Sequence, residues 1–164
     1  MKWIIIFIIF AFLSYIYICI RFINTPSPFN EVITSPSNRI TPRMISEKLP
    51  IVLTDPITDI TKFINTVYLY QQRYKSRVEV AGNQPNIVRN LRLFLHNSGD
   101  NRDNNNGAII YIAHPKYATL TDNPTEITLK RGQIAIIPRG WHYMAKSADG
   151  LSAISGDSLL SLYF

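Results

Sequence analysis

Hydrophobic and polar positions divide the chain into three stretches of different pattern. From Trp3 to Ile20 the residues WIIIFIIFAFLSYIYICI run without a charge. A run that is apolar on every side predicts a membrane-spanning helix. At 1.5 Å per residue it covers about 27 Å, the depth of a bilayer core. Trp3, Ile4, Phe7, Phe10, Phe12 and Ile20 are expected against lipid. Lys2 and Arg21 bracket the run, and Trp3, Tyr15 and Tyr17 suit headgroup depth. The competing reading is a cleaved signal peptide. The run exceeds a usual signal core, and Arg21-Phe22-Ile23-Asn24 offers no small-x-small pair for cleavage. The preferred reading is an uncleaved, single-pass anchor over residues 1–23. Its orientation stays open, with Lys2 on one side and Arg21, then Arg39, on the other.

Residues 24–48 lose all apolar period. Pro26, Pro28, Pro36 and Pro42 lie among Ser, Thr and Asn, which predicts an extended, semi-stiff stalk. From Leu49 to Phe164 the periodic signals return and predict one small domain. Leu49-Pro50-Ile51-Val52-Leu53 reads as a short strand. Asp55 and Pro56 form an N-cap and first-turn pair. Ile57, Ile60, Phe63, Ile64 and Val67 then follow helical spacing, so an amphipathic helix is expected over about 56–72. Arg73, Lys75 and Arg77 suit the negative end of that helix.

The remainder reads as strands. Leu91, Leu93 and Leu95 alternate with Arg92, Phe94 and His96. Residues 99–107 (GDNRDNNNG) form a polar loop. Ala108–Ala113 is a buried strand ended by His114-Pro115. Short strands follow at Glu126–Leu129, Gln133–Ile137, Trp141–Ala145, Leu151–Ile154 and Leu159–Phe164, punctuated by Arg131-Gly132 and Arg139-Gly140. Many short strands with few helices indicate a sandwich or small barrel.

Composition narrows the chemistry. The 164 residues carry a net charge of +6 with 17% charged side chains, which excludes an acidic disordered chain. The one cysteine, Cys19, excludes a disulfide framework, a Cys-rich zinc site and a Cys-His nucleophile in the domain. Within the anchor it reads as apolar filler, with palmitoylation as the alternative. There is no G-x-S-x-G elbow, P-loop or G-x-G-x-x-G. Lys62, Arg73, Lys75, Arg77, Arg89 and Arg92 make residues 60–95 basic. No RNA-binding signature accompanies them, so nucleic acid is not an expected partner and a surface near a membrane is.

The most informative stretch is Lys130–Tyr143, KRGQIAIIPRGWHY. A glycine opens a buried strand, Pro-x-Gly redirects the chain, and Trp and His begin the next strand. Gly132, Ile134, Ile136, Pro138, Gly140, Trp141 and His142 resemble the second characteristic motif of cupins, in the style of the cupin-like domains of the Jumonji hydroxylase group. Tyr143 completes the stretch. The resemblance covers roughly residues 88–164. It implies a mostly β fold, a double-stranded β-helix or jelly roll, with one amphipathic helix behind the transmembrane helix.

Active members of that group hold Fe(II) through His-x-Asp/Glu and a distant His, and use 2-oxoglutarate. No His-x-Asp or His-x-Glu occurs in this chain. After His96 the nearest carboxylate is Asp100, and strand ligands sharing a face must lie two apart. The family histidine falls three residues after the Pro-x-Gly glycine. Here that position is Tyr143, and His142 comes one residue early, a slip that turns a side chain to the opposite face. The leading expectation is therefore a membrane-anchored cupin-like module, without cofactor, that binds or builds rather than catalyses. One alternative is a divergent Fe(II)/2-oxoglutarate hydroxylase. Its metal ligands would be His96, Asp100 and His142, with Arg92 or Lys130 pairing the cosubstrate carboxylate. A basic membrane-surface adaptor is the third reading. In each, the expected bilayer contact runs through residues 3–20.

Overall fold

A computed structural model describes residues 2–59, 62–63, 73–80, 82–89, 91–96, 107–146 and 151–158. The first helix, α1, runs from Lys2 to Asn24. Most of its apolar side chains are exposed, Trp3 at 82%, and near its end the Phe22 ring meets the Lys48 ammonium. Such a helix is long and apolar enough to cross a membrane.

The described residues after α1 form two sheets with short helical pieces. The strands are β1 (Ile33–Ser35), β2 (Ile51–Leu53), β3 (Arg73–Val80), β4 (Asn86–Ile87), β5 (Arg92–His96), β6 (Ala108–Ala113), β7 (Thr125–Leu129), β8 (Ile134–Ile137), β9 (His142–Ala145) and β10 (Leu151–Ser158). One sheet has the order β1-β2-β8-β5-β10-β3, the other β4-β9-β6-β7. Among the described residues every pairing but β1 with β2 is antiparallel.

β5 shows why two layers form. Leu93 and Leu95 turn to one face and join Ile134, Ile136, Ile154, Ile51 and Leu53. Phe94 turns to the other face and packs with Ile110, Ile112, Leu129, Trp141 and Tyr143 between the sheets. The alternation expected of a half-exposed strand is thus buried on both sides, as is all of β8. Central strands covered on both faces read as continuous apolar runs.

Residues 24–48 do not run as an extended stalk. β1 lies parallel to β2, with Ile33 opposite Ile51. A 3-10 turn at Ser37–Arg39 and the short helix α2 (Pro42–Ser46) follow. Thr41 caps α2 by accepting from the Met44 N–H at 3.3 Å, and Pro42 fits the first turn. Ile45, with Ile33, Ile40 and Met44 beside it, covers the outer face of the larger sheet. Four apolar residues without a period pin this segment down.

The helix expected from Pro56 also begins differently. Residues 56–59 are not helical, and Asp59 is the cap. Its carboxylate accepts from the Lys62 N–H at 2.9 Å, and its carbonyl accepts from the Phe63 N–H at 3.0 Å. Residues 60–61 and 64–72 of that helix, the loop residues 99–106 and the final strand 159–164 lie outside the described residues. Arg73, Lys75 and Arg77, expected at the helix end, lie in β3, paired with β10.

Asp55 turns to the other side of the chain. Its carboxylate accepts from the Ser37 N–H at 2.7 Å and from the Ser37 hydroxyl, at the start of the 3-10 turn. The hydroxyl bond, then the backbone bond, hold its carboxyl below the ordinary aspartate value. A depressed carboxylate stabilises the fold above its unfolded pKa and loses this as pH falls through its folded pKa. Asp55→Asn is expected to cost about 0.5–1 kcal/mol at neutral pH, held low by solvent screening. The gap should close below about pH 4. Denaturant midpoints of both chains at neutral and acid pH check this, and a gap that persists in acid contradicts it.

Candidate functional site

The Lys130–Tyr143 stretch folds as a strand between two left-handed turns. Gly132 has φ +78° and Gly140 has φ +89°, a region that favours glycine. A Cβ on Gly132 would stand 3.0 Å from the Pro56 side chain, so the turn also needs the small residue for space. Between the glycines β8 is wholly buried. After Pro138 the chain reverses. The Gly140 N–H donates to Val88 at 2.8 Å, and the Val88 N–H donates back to Trp141 at 2.9 Å. This pair closes the turn onto β4.

Trp141 and Tyr143 point into the space between the sheets. Trp141 is 1% exposed. Its indole N–H donates to the Lys48 carbonyl at 3.2 Å. That carbonyl is aimed by an uncommon backbone: Lys48 has φ 55° and ends α2, its N–H bonded to the Ile45 carbonyl at 3.2 Å. Tyr143 meets Phe94 edge to face at 5.0 Å. The Arg92 guanidinium lies 4.9 Å from the Tyr143 ring centre and 5.8 Å from that of Phe94, a cation–π arrangement at one end of the sandwich.

His142 lies on the other face of β9. It pairs with Ala113 of β6 and Ile87 of β4, and its side chain turns away from the inner core that Tyr143 enters. His96 is elsewhere. It ends β5, four residues or about 13 Å along the strand from Arg92. Its Nδ1 is 3.1 Å from the Leu129 carbonyl oxygen. Asp100, the third expected ligand, lies outside the described residues. His96 and His142 thus stand on different sheets. Lys130 follows Leu129 at the His96 end of the sandwich, with its N–H bonded to the Gln133 side chain at 2.9 Å. Arg92, the alternative residue for the cosubstrate carboxylate, is at the opposite end of β5.

One histidine has a role that the sequence did not suggest. His114 is fully buried. Its Nδ1 accepts from the Lys116 N–H at 3.0 Å, so the ring is neutral with its proton on Nε2. Nε2 donates to the Ser27 carbonyl at 2.9 Å. The ring stacks on Tyr117 at 4.7 Å and meets Trp141 edge-on at 4.9 Å. His114 and Trp141 together therefore clamp residues 27–48 to the β-domain. Ser27 is 87 positions before His114, and no local signal links them.

The described residues gather no group of three or more His, Cys, Asp or Glu side chains. Comparisons with protein families, with curated proteins and with solved structures find no match.

Proposed function

We propose that this chain is a single-pass membrane protein whose cupin-like β-domain serves as a binding or structural module without an iron centre. The observation that carries the reading is the pair at β9. Tyr143 fills the inward position where an active member would place its histidine, and His142 faces outward. Strand order supports the jelly-roll part. Counted from β3 as the first, the strands lie sixth-third-eighth-first in one sheet and second-seventh-fourth-fifth in the other. That is the order of an antiparallel ribbon folded over on itself. β1 and β2 extend the first sheet beyond it. The open apolar surface of α1 supports the anchor.

The reading leaves the β-domain's occupant to its surfaces rather than to a metal. Metal analysis of the detergent-solubilised full chain, purified with Fe(II) supplied, tests it. Well under one iron per chain is expected.

A further inference from the structure

The end of α1 meets the β-domain through cations and rings. The Lys48 ammonium donates to the carbonyl oxygens of Phe22 and Thr25, the latter at 2.6 Å, and lies 4.5 Å from the Phe22 ring centre. A cation is favoured at those carbonyls, the negative end of the helix. Arg139 donates to the Asn24 side-chain oxygen at 3.3 Å. The Lys116 ammonium lies 5.2 Å from the Tyr117 ring centre, and that ring stacks on His114, the partner of Ser27.

Three separate segments thus bring Lys48, Lys116 and Arg139 to the stretch where the chain leaves α1. Burial first, and the Arg139 charge second, hold Lys48 below the usual lysine value. Cations crowded in this way favour an anion beside them. Two large rings stand open at the same place: Phe29 is 56% exposed and Tyr117 is 53% exposed. Phe29 is tied in through its N–H, which donates to the Ser27 hydroxyl at 3.3 Å. Basic side chains mixed with open aromatic rings match a membrane–water interface. Covalent continuity sets the location. Residues 24–29 follow the helix directly, so the chain itself keeps them within about 20 Å of its end.

We infer that Lys48, Lys116, Arg139, Phe29 and Tyr117 form a surface for the phosphate-bearing headgroups of anionic phospholipids beside the anchor. The inference rests on α1 being an uncleaved membrane span.

The test uses the full chain in phosphatidylcholine vesicles doped with spin-labelled lipids. Electron spin resonance reads the lipid held at the protein. Spin-labelled phosphatidylserine should associate roughly fivefold more strongly than spin-labelled phosphatidylcholine. Added salt should weaken that preference. K116Q/R139Q should bring the two lipids to parity, while the charge-keeping pair K116R/R139K should retain the difference. Equal association of both lipids with the unaltered chain overturns the inference, as does a preference unchanged in K116Q/R139Q. No held population with either lipid overturns the anchor reading and this inference together.

Discussion

A Trp141→Ala chain should lose about 3–5 kcal/mol of folding stability. That is a large share of the roughly 5–15 kcal/mol that holds a domain of this size. Two costs combine. The indole is fully buried in the inner core, so its removal forfeits transfer energy and leaves a cavity between the sheets. It also removes the N–H that satisfies the Lys48 carbonyl and the edge-on partner of His114. Trp141→Phe separates the two. It keeps most of the volume and loses the donor, so about 1–2 kcal/mol is expected. Urea denaturation of the solubilised full chain, followed by near-ultraviolet circular dichroism, measures both. A loss under about 1 kcal/mol for Trp141→Ala would show that the tryptophan is not a clamp.

The second large effect concerns where the folded unit begins. A soluble fragment starting at Leu49 should be about 4–6 kcal/mol less stable than one starting at Thr25. The shorter fragment lacks Ile45, which is buried on the larger sheet, and the Ile33, Ile40 and Met44 side chains beside it. It lacks the Lys48 carbonyl that receives Trp141 and the Ser27 carbonyl that receives His114. It also uncovers β2 along the edge that β1 protects. An open apolar edge strand favours association, so the shorter fragment should aggregate on warming. Denaturation midpoints and light scattering of the two fragments decide this. Equal midpoints would make residues 25–48 a passive spacer.

Both effects trace to contacts of different legibility in the sequence. The long apolar helix at the N-terminus is plain because Trp3–Ile20 carries no charge. β5 to β9 were legible because apolar runs lie between turn residues, and Gly132 and Gly140 do adopt the left-handed turns their positions imply. The offset at His142 could be counted directly from Gly140, and Tyr143 is the buried member of the pair. Other features depend on partners far along the chain. β1 is three residues long and acquires its apolar surroundings from β2, about eighteen positions later. β3, RYKSRVEV, has a basic start that suits a helix end equally well, and only its pairing with β10 fixes it as a strand. Asp55 stands before a proline, like a helix cap, yet its Ser37 partner is reached through the β1–β2 pairing. Local pattern carries no information on such closures, because tertiary contacts override propensity there.

Iron content of the full chain tests the central claim most directly. The chain and its His142→Ala variant would be purified in detergent with Fe(II) and 2-oxoglutarate present under anaerobic conditions, and the metal counted per chain. With Tyr143 in the inward position and His96 about 13 Å from the Arg92 end of β5, the two should hold equal amounts, well under one iron each. One iron per chain, lost on His142→Ala, would contradict the account and restore an oxidative centre to this domain.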